Sequence, residues 1–252
     1  MAITAVVLAG GPGDAVSASY PSVPNKAFVP VGGTPLVTRT LAALRATPAV
    51  TRVIAVAPFH ANILPALGDA DEIRRDGERI ADSLRSGTRG LPPDAPVLIV
   101  TADLPVLSRA ALEEFLERAG ARDADVVYSC VERSLHLARY PEVPHTWARL
   151  RDGTYCGGGC VRLRPRALPA LDAFLDRLGR ARKNPLALAR IFGWDVLTAY
   201  ALGRLTIAAA ERRATKLLAA SVAAVACTHP EIAVNVDRPG DVALAEALLE
   251  RA

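Results

Sequence analysis

Four segments of the sequence carry residue types that suit the chemistry of a polyphosphate. The glycine-rich turn 10–13 directly follows an apolar run, and Lys26 lies in a Pro/Ser/Asn-rich loop soon after it. Asp103 and Asp237 each follow a later apolar run and are followed within two residues by a proline. Glycine turns expose backbone N–H groups, a lysine adds positive charge, and carboxylates hold divalent cations. Together these groups could bind a triphosphate with Mg²⁺.

The glycine turn by itself is a weak signal, because many strand-to-helix turns contain glycine. Two familiar phosphate-binding spacings are absent. The pattern G-x-x-x-x-G-K-[ST] fails because no Lys-Ser or Lys-Thr follows, and G-x-G-x-x-G fails because Ala15 and Val16 continue the loop. The hypothesis of a phosphate site therefore depends on Lys26 and the two aspartates lying nearby.

Each aspartate has a structural alternative to metal binding. Ser108 is the better N-cap for the helix predicted after Asp103, which would leave that carboxylate free. Asp237 could instead cap the last helix, with Asp241 in its first turn. A carboxylate pair at one edge of a sheet could hold one or two divalent ions against a polyphosphate.

Composition argues against several classes of protein. The chain has 252 residues, 51% of them hydrophobic, and its 30 basic residues are spread among 26 acidic ones. This diffuse charge favours an anionic small molecule over nucleic acid. The most apolar stretch, 196–210, is interrupted by Arg204, and the N-terminus lacks a signal-peptide pattern. We therefore expect a cytoplasmic protein with neither nucleic acid nor membrane as a partner; its oligomeric state is not predicted.

The cysteines and histidines form no metal-binding pattern. None of the four cysteines belongs to a C-x-x-C pair, although Cys156 and Cys160 flank three glycines. Buried or loop thiols are favoured over a zinc site. The histidines are scattered, and none is assigned a catalytic role: His60, His136, His145 and His229.

Short β-branched runs alternate with longer Ala/Leu-rich segments, which predicts a mainly parallel, Rossmann-like α/β sheet covered by helices on both faces. The predicted strands are 3–9, 52–57, 96–101, 124–131, 158–163 and 221–227. The predicted helices are 35–46, 60–67, 78–90, 108–120, 166–180, 184–193, 208–219 and 239–251. Ligands of such sheets lie beyond the carboxyl ends of the strands. We expect one domain, 1–252, with a less regular region at about 133–206 that includes a short hairpin within 133–156.

Several stretches, taken in order, resemble the nucleotidyltransferases of the glycosyltransferase-A-like fold. That superfamily includes sugar-phosphate nucleotidylyltransferases, molybdenum-cofactor guanylyltransferase and methylerythritol-phosphate cytidylyltransferase. The resemblance is carried by six segments: Leu8-Ala9-Gly10-Gly11-Pro12-Gly13, Asn25-Lys26, Val31-Gly32-Gly33-Thr34-Pro35-Leu36, Asp76-Gly77-Glu78-Arg79-Ile80-Ala81-Asp82-Ser83-Leu84, Thr101-Ala102-Asp103-Leu104-Pro105 and Asn235-Val236-Asp237-Arg238-Pro239-Gly240-Asp241.

The resemblance implies an Mg²⁺-dependent enzyme that transfers NMP from an NTP to a phosphorylated small molecule, a sugar phosphate or a cofactor precursor, with release of pyrophosphate. It assigns nucleotide binding to Leu8, Ala9, Gly10, Gly11, Gly13, Lys26, Gly77 and Ser83. It assigns Mg²⁺ to Asp103 and Asp237, and catalysis to Lys26 with Asp103. It places the acceptor near Gly157 and Gly158, which could equally form a tight turn into a strand. The basic stretch 180–185 could meet the acceptor or form a solvated helix end.

One departure from the family pattern concerns a loop arginine that normally holds the triphosphate. Here the turn continues as Asp14-Ala15-Val16-Ser17, and Asp14 would repel phosphate. Arg79 and Arg39 are candidate substitutes. Two other functions therefore remain open: a glycosyltransferase that uses a nucleotide sugar, and a nucleotide-binding protein with impaired catalysis. The first usually needs an Asp-x-Asp site, and Thr101-Ala102-Asp103 departs from that pattern.

Overall fold

The computed structural model describes residues 2–181 and 190–251. Its main element is one large sheet, with a separate two-stranded ribbon. The strands are β1 Ile3–Leu8, β2 Pro30–Val31, β3 Thr34–Pro35, β4 Val50–Ala57, β5 Glu72–Arg75, β6 Val97–Thr101, β7 Val126–Glu132, β8 Ala148–Leu150, β9 Gly153–Leu163 and β10 Val222–Cys227. Strands β2 and β3 pair with each other, and the remaining strands form the large sheet.

Helices connect most of these strands. They are α1 Leu36–Arg45, α2 Ile80–Thr88, α3 Arg109–Gly120, α4 Arg133–Arg139, α5 Leu168–Ala181, α6 Trp194–Ala201, α7 Ile207–Leu218 and α8 Pro239–Glu250. Short 3₁₀ helices lie at Ser17–Ser19, Lys26–Phe28, Ala61–Leu67, Pro165–Ala167 and Pro230–Ala233. Within the described ranges, no helix is long and apolar enough to cross a bilayer.

The strand order is β10-β7-β9-β6-β1-β4-β5, with β8 paired to β9. Strand β1 runs parallel to β4 and β6, β4 parallel to β5, and β10 parallel to β7. Strand β9 is antiparallel to both β6 and β7. The prediction of a mainly parallel α/β sheet is confirmed. The carboxyl ends of the parallel strands therefore share one edge with the amino-terminal part of β9.

Both faces of the sheet are covered by helices, as the sequence predicted. On one face, Val7 of β1 lies in an apolar cluster that includes Leu41 of α1 and Phe115 of α3. On the other face, Val6 packs in a cluster with Leu84 of α2 and Leu168 of α5. Adjacent β1 residues point to opposite faces, so a strand that is apolar at nearly every position fills both cores.

The predicted elements differ from the structure in a few places. Segment 60–67 forms a 3₁₀ helix, Ala61–Leu67, with Pro65 inside it, because proline lacks the N–H that an α-helix interior requires. Strand β5 was missed because Glu-Ile-Arg-Arg is mostly charged; it lies at an edge of the sheet. The hairpin expected within 133–156 is formed by β8 and the start of β9. The predicted helix 184–193 falls mostly outside the described residues.

Candidate active site

Asn25 joins the glycine turn to the segment that carries Lys26. Its side chain is 2% exposed, and Nδ2 donates to the carbonyls of Ala9, at 3.1 Å, and Gly11, at 3.2 Å. Its Oδ1 accepts the N–H of Ala27 and so caps the 3₁₀ helix Lys26–Phe28. Gly11 has a φ of 107°, a backbone conformation that favours glycine. The buried Asn25 amide therefore fixes both the glycine turn and the backbone that carries Lys26. Sequence reasoning assigned no role to Asn25.

Lys26 lies between the two aspartates predicted to bind metal. Its Nζ is 2.7 Å from Asp103 Oδ2 and 2.6 Å from Asp237 Oδ1, and it donates to the carbonyl of Val236 at 3.1 Å. Burial acts to lower the pKa of Lys26, but the charges and hydrogen bonds of the two carboxylates outweigh burial and raise this pKa above its ordinary value. The ammonium is therefore charged at any physiological pH.

Both carboxylates are free to face Lys26 because other groups cap the neighbouring helices. The Ser108 hydroxyl accepts the N–H of Ala111 at 3.1 Å and caps α3, as predicted. Asp241 Oδ2 accepts the N–H groups of Asp237, at 3.0 Å, and Arg238, at 2.8 Å. The alternative in which Asp237 caps the last helix is therefore wrong. The Asn235 amide donates to the outer oxygen of Asp237 and holds that carboxylate in place.

The backbone brings Asp103 and Asp237 together across the edge of the sheet. The N–H of Val236 donates to the carbonyl of Asp103 at 3.0 Å. Asp103 Oδ1 is buried and has no hydrogen-bond partner within the described part of the chain. No cluster of three or more His, Cys, Asp or Glu side chains suited to a metal occurs among the described residues. The donor set is thus two carboxylates, one with an unused oxygen, which fits Mg²⁺ that completes its coordination with phosphate oxygens and water.

A cavity of about 340 Å³ opens between the glycine turn, Lys26 and the start of α2. Of the predicted nucleotide and metal residues, its lining includes Leu8, Gly10, Gly11, Lys26, Gly77, Ser83 and Asp103. Ala9 is not in the lining: it is fully buried, and its N–H donates to the Val56 carbonyl. Gly13 is exposed outside the cavity. The geometry makes Ala9 a support of the turn and gives Gly13 no direct contact with this space.

Asp76 also belongs to this region, although sequence reasoning gave it no role. Its Oδ2 accepts the N–H of Gly11 at 2.9 Å, and a side chain at Gly10 would collide with it. The next residue, Gly77, donates its N–H to the Ser83 hydroxyl at 3.0 Å. The two predicted base-contacting residues are therefore in direct contact. The position of Asp76 beside Gly77 in the matched segment was the available signal for it.

The structure separates the two candidate substitutes for the loop arginine. Arg79 lines this first cavity, and its guanidinium forms ion pairs with Asp82, Asp172 and Asp176. Arg39 instead donates to the Val31 carbonyl, at 2.6 Å from Nη2, and does not line the cavity.

The carboxylate of Asp14, which is expected to repel phosphate, accepts backbone N–H groups of its own loop. Its Oδ1 is 2.9 Å from the Ser17 nitrogen and 3.1 Å from the Val16 nitrogen, at the start of the 3₁₀ helix Ser17–Ser19. The Val16 side chain is buried among Val29, Leu36 and Val236. The loop is therefore anchored by an apolar contact and contributes no cation at the place where relatives are expected to carry arginine.

A second cavity, of about 310 Å³, lies at Asp237. Its lining consists of Tyr128, Pro144, His145, Thr146, Gly157, Asn235, Asp237, Arg238 and Asp241. Asp237 contacts Lys26, which lines the first cavity, so these two residues lie at the boundary between the two spaces.

Gly157 and Gly158 lie inside strand β9, so the alternative in which they form a tight turn into a strand is wrong. The register between β7 and β9 shifts between Tyr128 and Cys130, and side chains at Gly157 and Gly158 would collide with Tyr128 and Ser129. Gly157 lines the second cavity and Gly158 does not. Close packing against β7 therefore accounts for both glycines, and only Gly157 is positioned to meet a ligand.

His136 and His145, to which no role was assigned, are in contact. Their Nε2 atoms are 2.8 Å apart, and His145 reaches the second cavity. Burial lowers the pKa of His136 to about 4. It also lowers the pKa of His145, although Asp237 and Asp241 act in the opposite direction. Both rings are therefore neutral near pH 7. No local sequence signal connects His145 with Asp237.

None of the four cysteines lines either cavity. All four cysteines are free and buried, in agreement with the interpretation as structural thiols. Burial raises the pKa of Cys130 and of Cys156 to about 11, which makes both poor nucleophiles at neutral pH. The basic stretch 180–185 lies mostly outside the described residues.

The model of the MobA-like NTP transferase domain matches residues 5–225. A 2-C-methyl-D-erythritol 4-phosphate cytidylyltransferase from Frankia casuarinae is 30% identical over 255 residues, which covers 99% of this chain and 82% of that protein. A bifunctional enzyme IspD/IspF from Granulibacter bethesdensis is 32% identical over 128 residues, half of this chain and a third of that enzyme.

Solved structures show the same fold. A hypothetical transferase from Thermus thermophilus superimposes with a TM-score of 0.83 at 33% identity, covering 96% of this chain and 100% of that one. A CMP:2-keto-3-deoxy-manno-octonic acid synthetase in complex with CTP gives a TM-score of 0.61 at 14% identity, with 99% of both chains covered. The second likeness concerns the fold alone.

Proposed function

Because the chain belongs to the MobA-like NTP transferase family and is a nucleotidyltransferase, we propose that it transfers a nucleoside monophosphate from an NTP to a phosphorylated small molecule. In this reaction an acceptor oxygen attacks the α-phosphorus. The new P–O bond forms as the bond to the β-phosphate breaks, and pyrophosphate leaves with the electron pair. The observation that carries the proposal is the position of Lys26 between Asp103 and Asp237, where the two cavities meet.

In this proposal the first cavity holds the nucleotide. Gly10 and Gly11 present backbone to the phosphates, and Leu8, Gly77 and Ser83 surround the base. The hydrogen bond between the Asn25 side chain and the Ala9 carbonyl maintains the conformation of the turn. A rigid turn of this kind reduces the ordering that must occur on binding, because its amide directions are already fixed.

The metal that the family implies fits the two carboxylates. Asp103 and Asp237 would hold Mg²⁺, with the unused Oδ1 of Asp103 available as a ligand. When bound, Mg²⁺ supplies positive charge to the phosphate oxygens. Lys26 pairs with the same carboxylates in the structure, so its ammonium would turn from them toward the phosphates once a cation takes its place. There it would stabilise charge on the leaving pyrophosphate.

The acceptor would occupy the second cavity, beside Asp237. The cavity is lined mainly by polar side chains, and Arg238 forms no ion pair with any residue in the described ranges. A free guanidinium suits an anionic group on the acceptor. Relatives named for 2-C-methyl-D-erythritol 4-phosphate and 2-keto-3-deoxy-manno-octonic acid make a phosphorylated or acidic polyol the class to test first.

The direct experiment is pyrophosphate release with each of the four common NTPs and a panel of phosphorylated polyols, with Mg²⁺ or with EDTA. Lys26→Ala should lower turnover by about 100-fold, the effect of removing one charge-stabilising group. Lys216→Ala is the matched control, since Lys216 is exposed on α7. Nucleotide binding without release for any pair would instead favour a binding protein and would remove the proposed reaction.

A further inference from the structure

The histidine pair beside the second cavity is unexplained by nucleotide or metal binding. His136, on α4, is fully buried, and His145 follows in the loop that leads to β8. Their ring centroids are 4.3 Å apart and the rings are nearly perpendicular, at 87°. Trp147 packs edge-on against both rings. The orientation of His145 is therefore fixed from two sides.

The hydrogen bond between the rings determines where His145 carries its proton. Only one of the two Nε2 atoms can donate, and the Nδ1 of His136 has no partner within the described part of the chain. A buried N–H without an acceptor is rarer and more costly than an unused lone pair. His136 therefore carries its proton on Nε2 and donates it to His145. His145 then accepts at Nε2 and holds its own proton on Nδ1.

The Nδ1–H of His145 is a neutral donor in a cavity whose other polar groups include two carboxylates and a guanidinium. Asp237 and Asp241 are acceptors, and Asp241 is already committed to two backbone N–H groups. Arg238 supplies the full positive charge in the lining. The neutral N–H of His145 suits an oxygen atom of the acceptor, either a hydroxyl or an anionic oxygen. A hydrogen bond from this N–H depends on direction, whereas the Arg238 guanidinium contributes charge.

We propose that His145 is a specificity-determining residue that donates its Nδ1–H to an oxygen of the phosphorylated polyol acceptor, and that His136 is its positioning residue. This inference rests on the proposed function, because it needs an acceptor in the second cavity. It assigns to the pair a role in choosing the acceptor and none in holding the nucleotide.

The kinetic test uses the acceptor that gives the fastest pyrophosphate release in the panel. His145→Ala should raise the KM for that acceptor about 10-fold and leave the KM for the NTP unchanged, since a lost hydrogen bond to an anionic substrate has roughly this effect. His145→Asn should recover most of the loss, because its amide can donate from a similar position. The acceptor KM of His136→Phe should lie between those of His145→Ala and His145→Asn. His60→Ala serves as the control at an exposed histidine. An unchanged acceptor KM in His145→Ala, or equal changes in both KM values, would overturn the inference.

A second readout does not depend on turnover. Long-range ¹⁵N–¹H spectra of the histidine rings should show His145 as the Nδ1–H form and His136 as the Nε2–H form. The His145 signals should shift when 2-C-methyl-D-erythritol 4-phosphate, glucose 1-phosphate or glycerol 3-phosphate is added with a non-hydrolysable NTP, and those of His60 should not. The opposite tautomers, or no shift with any of the three, would refute the role of His145. Failure of pyrophosphate release with these shifts present would refute the proposed reaction alone.

Discussion

Asp76 occupies a backbone amide of the glycine turn: its Oδ2 accepts the N–H of Gly11 at 2.9 Å. Lys26 is similarly occupied by Asp103 and Asp237. The groups best suited to a phosphate are thus paired with carboxylates of the same chain. In the proposed function, a triphosphate would compete with these internal anions, and a divalent cation would compete with the lysine ammonium.

Removal of the competing carboxylate at the turn should strengthen nucleotide binding. In Asp76→Ala, the Gly11 amide loses its internal acceptor and a negative charge leaves the phosphate site. We expect the Kd for a non-hydrolysable NTP with Mg²⁺ to fall about 10-fold, the size expected for one charged hydrogen bond. Calorimetry measures this Kd, with Asp69→Ala as a control at an exposed aspartate. Weaker binding in Asp76→Ala would show that Asp76 helps to hold the nucleotide.

Loss of either proposed metal ligand should change the response to Mg²⁺. Asp103→Asn and Asp237→Asn each remove one of two carboxylates, so turnover should fall at least about 100-fold and need more Mg²⁺ to saturate. Pyrophosphate release across a range of Mg²⁺ concentrations measures this. Asp123→Asn is a suitable control, since Asp123 is exposed and pairs only with Arg164 among the described residues. An unaltered Mg²⁺ requirement in both variants would exclude the assignment.

Arg79 should contribute the positive charge that the glycine turn lacks. We expect Arg79→Ala to raise the Kd for the NTP about 10-fold, in line with a charged contact to phosphate. Asp176→Asn should lower that Kd a few-fold, because one carboxylate fewer holds the guanidinium toward α5. Calorimetry at two salt concentrations distinguishes the effects, and Arg109→Ala is a surface control paired with Glu113. Normal NTP binding by Arg79→Ala would show that Arg79 does not replace the missing arginine.

Protonation of the buried histidine should destabilise the fold in mild acid. The pKa of His136 is lowered from 6.5 to about 4 by burial, so the unfolded chain binds a proton more readily than the folded one. The stability due to neutral His136 is fully present above pH 6.5 and is lost as the pH falls toward 4, by up to about 3 kcal/mol. Urea unfolding at pH 7, 6, 5 and 4.5 tests this.

The control for the pH effect is a variant that cannot be protonated at this position. His136→Phe should flatten the loss of stability between pH 6.5 and 4, whereas His60→Phe should leave the wild-type slope because His60 is exposed. An identical slope in wild type and His136→Phe would mean that other groups cause the acid sensitivity.

Much of the fold could be predicted because its signals are local. The apolar run that forms β1 is buried on both faces, and Ser108 caps α3 through a hydrogen bond spanning three residues. The charged edge strand β5 escaped prediction, because its pairing with β4 depends on the neighbouring strand and not on its own composition. The alternative of a tight turn at Gly157 and Gly158 failed for a similar reason: these positions pack closely against Tyr128 and Ser129 of the neighbouring strand.

The sequence by itself determined the α/β class, the order of the main strands and helices, and the segments that carry the glycine turn, Lys26 and the two aspartates, because each depends on neighbours within a few residues. Only the tertiary structure decided how they meet. Lys26 and Asp237 are 211 positions apart, and their contact depends on how α8 packs against β2 and the start of α1. The tertiary structure also decided the hydrogen bond between Asp76 and Gly11 and the position of His145 beside Asp237. The separation of two residues in sequence does not determine their distance in space.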